Sequence, residues 1–188
     1  MADYHSQVEL SIDLDIEEEE LEFKDLLSSL QLEAVVLRTL SQARIEQPVQ
    51  VAVLITTEDM IRSLNKQYRS QDTPTDVLSF PLLEKPIVNA PADQLWMPSD
   101  LHLGEEIQTK PAFITPPNII MQLGDIVISW PTVKRQASEV GHTSAYELLF
   151  LLSHSVLHLV GYDDQTEAGY LSMIRIQQAV LETSGLKI

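Results

Sequence analysis

The hydrophobic pattern predicts four strands. Apolar and polar residues alternate over residues 8–14, and this period of two is typical of a half-buried strand. Residues 51–55 are continuously apolar, which predicts a strand covered on both faces. Residues 77–81 and 125–130 are short and rich in β-branched or aromatic residues, as strands are.

Helical spacing predicts five helices. Apolar residues recur three or four positions apart over residues 27–45, before Pro48, and Thr57 caps a second helix that runs to about Tyr68. Three more helices are predicted over 132–140, 144–160 and 166–183, the last two ending at Gly161 and Gly185. We therefore expect an α/β (α+β) fold, a single domain with a small mixed four-stranded sheet packed by about five helices.

Two segments stand apart from this pattern. Residues 1–30 form an acidic N-terminal extension with one predicted strand, because ten acids face one base there. Residues 31–188 form the main domain. It includes a Pro-rich insertion, 82–122, which holds six of the chain's ten prolines and in which we expect little regular structure.

Charge and composition narrow the function. The net charge of −16 repels phosphate backbones, so a nucleic acid would have to meet a local basic patch. The chain has no cysteine, which leaves His, Asp and Glu as metal ligands and fits a reducing compartment. No signal peptide is recognisable, and the longest apolar run, 148–152, is far too short to cross a bilayer. We expect a cytoplasmic protein without a membrane partner.

The candidate chemistry lies at the end of the fourth predicted helix. His154 and His158 are four residues apart, so both imidazoles project from one helix face. Gly161 can turn the chain back and bring Asp164 to the same face as a third metal ligand. Three protein ligands leave an open position, as in catalytic zinc sites. The same spacing also occurs by chance in core or surface histidines, but the apolar surroundings of this helix favour paired, buried rings.

Three stretches together resemble one family. The first is His154–Asp163, which reads His-x-x-x-His-Leu-x-Gly-Tyr-Asp and follows residues 147–152, a glutamate and five apolar residues. The other two are residues 64–81 and residues 123–129, and Gly141-His142 is also similar. In this order they resemble the YbeY family of bacterial endoribonucleases, over about residues 31–185.

The resemblance implies a single α/β domain with a zinc ion held by three histidines. It also implies cleavage of single-stranded RNA in 16S rRNA 3′ end maturation and in ribosome quality control, with rRNA and the small ribosomal subunit or its proteins as partners and no DNA. Two ligands carry over to His154 and His158. Asp164 stands where the family has its third histidine, and Ser155 stands where glycine is usual.

Further site residues follow from the same resemblance. Arg69 matches an essential arginine that faces the metal, and its guanidinium suits a phosphate. Thr75, Asp76, Ser155 and His142 are expected to support the site, with His142 either orienting a ligand or capping the helix near Ser144. A carboxylate ligand weakens the Lewis acidity of the ion. It is also a harder ligand than imidazole, which reduces the preference for zinc, so Mn²⁺ or Fe²⁺ join Zn²⁺ as candidate metals.

Three alternatives remain open. The first alternative is a ribosome-associated binding factor whose catalytic activity is weakened or lost. A zinc protease-like hydrolase is less favoured, because Ser155 stands where such proteases have their general-base glutamate. The two-histidine, one-carboxylate set also resembles the facial triad of non-haem iron oxygenases, which usually rest on β-barrels.

Overall fold

Four strands and five helices account for the regular structure of residues 8–16, 32–97 and 120–182, which are the residues that the computed structural model describes. The strands are β1 (Val8–Asp15), β2 (Val49–Thr56), β3 (Val77–Pro81) and β4 (Met121–Ser129). The helices are α1 (Leu32–Gln42), α2 (Glu58–Arg69), α3 (Trp130–Val140), α4 (Ser144–Val160) and α5 (Glu167–Glu182), with a short 3₁₀ turn at Ala92–Gln94. The predicted α/β fold is confirmed.

The sheet is mixed, in the order β1-β2-β4-β3. β1, β2 and β4 run parallel, and β3 pairs antiparallel with β4 at the edge. The β2–β4 register shifts by one residue at Leu123, which makes a bulge just before Gly124. Gly124 has φ +138°, and a Cβ there would lie 2.1 Å from the Phe80 carbonyl oxygen, so this position requires glycine.

Helix α4 is the centre of the main core. Most of its residues are buried, and it packs against the sheet and against α1, α3 and α5. The side chains of β2 that face this core, Val49, Val51, Val53 and Ile55, are at most 4% exposed. Burial of this continuous apolar surface supplies most of the driving force for folding.

Helix α2 covers the other face of the sheet. Its Ile61 forms a small separate cluster with Leu78 and Val127. On this face of β2, Ala52 and Leu54 are only half-buried, whereas Thr56 at the end of the strand is buried. The expectation that β2 is covered on both faces is therefore met in full on the α4 side alone, because α2 shields only part of the opposite surface.

Several predicted boundaries differ from the structure. β4 begins at Met121, inside the segment assigned to the Pro-rich insertion, and Trp130 starts α3 rather than ending a strand. Helix α1 ends at Gln42, because Arg44 takes a left-handed conformation (φ 61°). The acidic run at 17–20, the predicted helix start at 27–31 and insertion residues 98–119 lie outside the described residues.

The described part of the insertion packs onto the domain. Val88 is buried in the main core, and Ile87 and Leu95 pack against it. The Ile87 backbone N–H also donates to the carbonyl oxygen of Val160 at the end of α4 (3.0 Å). Residues 82–97 therefore form part of the surroundings of α4. None of the helices in the described ranges has the length and apolar character needed to cross a membrane.

Candidate metal centre

Helix α4 is delimited by residues that satisfy its free backbone groups. The Thr143 hydroxyl accepts from the backbone N–H of Tyr146 (3.1 Å) and caps the first turn. At the other end, the N–H of Tyr162 donates to the Leu157 carbonyl (3.0 Å) and the N–H of Gly161 to that of His158 (3.2 Å). These two bonds form a Schellman motif, which reverses the chain directly after the helix.

Gly161 makes this reversal possible for two reasons. Its φ of +129° is a conformation that residues with a Cβ rarely adopt. A Cβ at this position would also lie 2.5 Å from the Cβ of Pro86 and 2.8 Å from its Cα. The turn therefore needs both the backbone freedom and the small size of glycine, and it carries the chain to Asp164.

The imidazole rings of His154 and His158 meet edge to face on α4. Their Nε2 atoms are 3.0 Å apart and their ring planes are 85° apart. The Nδ1 atom of His158 lies 2.9 Å from the carbonyl oxygen of Tyr162. Because a carbonyl oxygen can only accept, we assign the ring hydrogen to Nδ1, which leaves the Nε2 lone pair facing the site. His158 is thus held in the tautomer that a metal ligand requires.

Asp164 supplies a third donor. Its Oδ2 atom lies 3.7 Å from Nε2 of His154 and its Oδ1 atom 3.9 Å from Nε2 of His158. The ligand atoms of all three residues fall within 4.8 Å of one another. Ligands bound to one tetrahedral zinc ion are roughly 3.3–3.5 Å apart, so shifts of about 0.5 Å or less would bring these atoms to a common ion. The donor set therefore fits a divalent metal.

The electrostatics of His154 favour binding of a cation. Burial, and after it the neighbouring His158 ring, lowers the pKa of His154 from 6.5 to about 4, against smaller opposing effects of the Asp164 and Asp76 carboxylates. His154 is therefore uncharged at neutral pH. Its nitrogen lone pair is available to a metal without the loss of a proton.

A pocket of about 400 Å³ opens over these ligands. Its walls include six of the predicted site residues, Arg69, Thr75, Asp76, His154, His158 and Asp164, together with Ser79. Arg69 is exposed at the end of α2 and forms no ion pair with any residue in the described ranges. No carboxylate of the described part of the chain therefore competes with an entering anion for a salt bridge to this guanidinium.

Asp76 organises the wall of this pocket where β3 begins. Its Oδ1 atom accepts from the Thr75 hydroxyl (3.1 Å) and from the Val77 backbone N–H (2.8 Å), and its Oδ2 atom accepts from the Gln136 amide (3.1 Å). The Asp76 carbonyl also accepts from the N–H of Ser129 (2.8 Å). The Asp76 side chain and backbone thus connect the start of β3 to α3 and to the end of β4.

Two predicted supporting residues lie outside the pocket. Ser155 is fully buried on another side of α4, and within the described structure its hydroxyl has no hydrogen-bond partner. His142 lies at the start of α4, with Nδ1 3.6 Å from Oε2 of Glu147 and its ring edge to face with Tyr146. Thr143, not His142, caps the helix.

Sequence reasoning assigned no site role to two residues near the ligands. Trp96 lines the pocket, and its indole Nε1–H donates to the carbonyl oxygen of His158 (2.9 Å). Gln177 of α5 is fully buried, and its amide lies close enough to His154 to raise the pKa of that ring slightly. A signal for Gln177 was present in the sequence, since a polar residue on the apolar face of a helix needs a buried partner.

An α/β domain that presents two histidines and an aspartate to an open pocket is constructed like a metal-dependent hydrolase. The family model described as Endoribonuclease YbeY matches residues 13–185. The chain therefore belongs to the endoribonuclease YbeY family, which is a family of metal-dependent hydrolases. The resemblance seen in the three sequence stretches is confirmed.

Relatives match over most of their length. Endoribonuclease YbeY of Dehalococcoides mccartyi is 38% identical over 146 residues, which cover 78% of this chain and 81% of the relative. The protein of the same name from Acetivibrio thermocellus is 32% identical over 170 residues, or 90% and 94% of the two chains. The solution structure of a Thermotoga maritima protein, 27% identical, matches with a TM-score of 0.51 and covers 93% of this chain and 87% of that chain. The fold is thus supported by a solved structure.

Proposed function

We propose that this protein is a single-strand-specific, metal-dependent endoribonuclease that acts in the cytoplasm, in 16S rRNA 3′ end maturation and in ribosome quality control. One observation carries the proposal: the His154, His158 and Asp164 ligand set shares its pocket with Arg69, whose guanidinium forms no ion pair with another described residue. In metal-assisted cleavage of a phosphodiester, a metal ion and a phosphate-binding cation act on the same phosphate and therefore face one cavity. The names of the relatives support RNA as the substrate.

We propose Zn²⁺ as the metal, with Mn²⁺ and Fe²⁺ as the alternatives to be compared. When bound, the ion supplies a Lewis acid that polarises a phosphoryl oxygen or activates a water molecule. With two neutral imidazoles and one carboxylate, the ligand set lowers the formal charge of the centre to +1. Three imidazoles would leave it at +2. We therefore expect a weaker Lewis acid than in a three-histidine site.

The residues of the chain account for substrate positioning. Arg69 can donate two parallel hydrogen bonds to one phosphate and stabilise the charge that develops during cleavage. The Schellman turn at Gly161 and the Tyr162 carbonyl hold Asp164 and His158 in place before the substrate arrives. A pocket of about 400 Å³ has room for one nucleotide unit rather than for a paired helix, which supports the single-strand preference.

The charge distribution supports Arg69 as the contact for the phosphate. Helix α2 carries three of the twelve basic residues of this acidic chain, Arg62, Lys66 and Arg69. Arg62 and Lys66 both bind the Asp72 carboxylate, at 2.8 Å and 2.7 Å. Arg69 lines the pocket and, within residues 8–16, 32–97 and 120–182, forms no ion pair.

A second candidate function is a binding factor that attaches to the ribosome without cutting RNA. The net charge of −16 and the presence of Asp164 in place of histidine favour it, because both weaken a metal-assisted nuclease. Peptide hydrolysis receives no support, since Ser155, which follows the first ligand, is buried in the core and is not an acid.

The test is cleavage of one RNA in two states. A labelled single-stranded oligoribonucleotide carrying the 16S 3′ precursor junction, and the same strand annealed to its complement, are incubated with the full chain supplied with Zn²⁺, Mn²⁺ or Fe²⁺. We expect cleavage of the single strand alone, abolished by a chelator and by His158→Ala. Binding without cleavage under every metal would instead support the ribosome-associated binding factor. Accumulation of 2′,3′-cyclic phosphate ends would identify the RNA 2′-hydroxyl as the nucleophile.

A further inference from the structure

We propose that Trp96 is the base-stacking residue of the pocket, which holds the nucleobase next to the scissile phosphate against its indole ring. The inference rests on the proposed function, because it concerns how single-stranded RNA sits in the same site. Three observations carry it: the anchoring of Trp96, the exposure of its ring and the composition of the pocket.

The backbone around Trp96 is anchored to the turn that carries the third ligand. The N–H of Trp96 donates to the Gly161 carbonyl (3.0 Å), and the N–H of Asp163 donates to the Gln94 carbonyl (3.0 Å). Leu95 and Tyr162 form an antiparallel bridge between these two bonds. Trp96 therefore has a fixed position relative to the metal ligands, although it comes from a distant part of the sequence.

The indole ring is itself fixed. Its Nε1–H donates to the carbonyl oxygen of His158 at 2.9 Å, so the single polar group of the side chain is already satisfied by the protein. Trp96 is only partly buried, and it lines the pocket. A rigid, partly exposed aromatic surface with no free polar group offers a ligand only its faces and edge, which is how aromatic residues bind nucleobases.

The rest of the pocket supplies the complementary contacts. Among the described residues that line it, Trp96 is the only Phe, Tyr or Trp, and the others are mainly polar or charged. Arg69 lines the same pocket as the ligands His154 and His158. A cation for a phosphate, a metal site and an aromatic surface within one cavity of about 400 Å³ match the three parts of a nucleotide.

Stacking also answers a problem that the charge of the protein raises. At a net charge of −16, long-range attraction of the RNA backbone contributes little to binding. Stacking of a base on an aromatic ring does not depend on net charge and tolerates every base. It does require a base that is not already stacked in a duplex, which gives Trp96 a part in the single-strand preference.

The test compares Trp96→Leu, Trp96→Phe and the matched control Met97→Ala, which alters the exposed neighbouring residue. Binding of a fluorescent single-stranded oligoribonucleotide is measured by anisotropy with metal-free protein, and kcat and KM with the metal-loaded enzyme. We expect Trp96→Leu to weaken binding and raise KM about 10-fold, with kcat and metal content within about 2-fold of wild type. Trp96→Phe keeps an aromatic face, so its affinity for RNA and its KM should stay within about 3-fold of wild type. Met97→Ala should have the affinity and the KM of wild type.

The two variants separate stacking from a structural role. Both lose the hydrogen bond to the His158 carbonyl, so a role through that bond would make Trp96→Phe as damaging as Trp96→Leu and would lower the metal content of both. That result would overturn the inference, and so would an unchanged KM in Trp96→Leu. An oligonucleotide with an abasic site at the cleavage junction should bind wild type and Trp96→Leu equally. If wild-type protein neither binds nor cleaves single-stranded RNA, the proposed function itself fails, a result distinct from an unchanged KM in an active Trp96→Leu enzyme.

Discussion

The carbonyl oxygen of Tyr162 lies 2.9 Å from Nδ1 of His158, so the turn that ends α4 also orients a ligand on α4. The backbone N–H of Tyr162 also donates to the carbonyl oxygen of Leu157, the residue that precedes His158. Folding of this turn and formation of the metal site are therefore one event. Damage to the turn should appear both in the free energy of unfolding and in metal affinity.

Substitution of Gly161 should be far more costly than substitution of Gly141. Both glycines directly follow a helix, and both have a positive φ. A Cβ at Gly141 would meet no atom within 4 Å, whereas a Cβ at Gly161 would lie 2.5 Å from Pro86. We expect Gly141→Ala to lower the free energy of unfolding by about 1 kcal/mol. Gly161→Ala should lower it by about 3–5 kcal/mol. Denaturant unfolding of both variants measures the difference, and equal losses would show that Pro86 does not restrict this turn.

Replacement of Asp164 tests its assignment as a ligand. Asp164→Ala removes one of three donors and should reduce zinc affinity about 100-fold, whereas Asp164→His supplies another donor and should keep or increase it. Asp163→Asn is the neighbouring control and should bind zinc as wild type does. Competition with a chromophoric chelator gives the three affinities. A large loss of zinc binding in Asp164→His would mean that Asp164 is not a ligand.

Arg69 and Arg62 form a matched pair on α2. Arg69 lines the pocket, whereas Arg62 binds Asp72 away from the ligands. We expect Arg69→Gln to lower kcat/KM for a single-stranded oligoribonucleotide about 100-fold, because the phosphate loses a charged donor. Arg62→Gln should change it less than about 3-fold, since an exposed ion pair contributes little. Similar losses in both variants would indicate a general electrostatic effect of α2 instead of a specific phosphate contact.

Glu147 should make the stability of the fold depend on pH. Burial raises the pKa of its carboxyl above 4.5, with His142 opposing and Asp76 adding to the shift. The folded protein then keeps a proton that the unfolded chain has lost, so Glu147 reduces stability as pH rises from about 4.5 through its folded pKa. The Glu147→Gln variant has no carboxyl at this position, so it does not undergo this loss of stability as the pH rises.

The Tm difference between Glu147→Gln and wild type measures this effect. The difference should grow in favour of the variant as the pH is raised from about 4.5 to 7. Glu139→Gln, which removes a carboxyl from an exposed position on α3, is measured beside it as the control. A constant difference for Glu147→Gln across this range would mean that its carboxyl titrates alike in the folded and unfolded chain.

The ligand helix was predictable because its signals are local. The helix predicted over residues 144–160 ends at Gly161, and the two histidines lie four residues apart, so both bounds of α4 and its ligand face follow from one continuous stretch. The end of α1 was not predictable in this way. Its left-handed residue is Arg44, which carries none of the sequence signal of a glycine.

The remaining parts of the site depend on contacts that are distant in sequence. The bond from Trp96 to the His158 carbonyl spans 62 residues, and Trp96 comes from a Pro-rich segment without periodicity. Gln177 reaches the surroundings of His154 from the next helix. Such placements follow from the packing of α5 and residues 82–97 against α4, which no spacing rule expresses.

The central claim is that this chain binds one catalytic metal ion through α4 and its C-terminal turn. Elemental analysis of untagged wild-type protein and of His158→Ala, with RNA cleavage measured on the same preparations, tests it most directly. The account predicts about one zinc, manganese or iron per wild-type chain, and loss of both the metal and the cleavage in the variant. A wild-type chain that stays metal-free when each ion is supplied would contradict it.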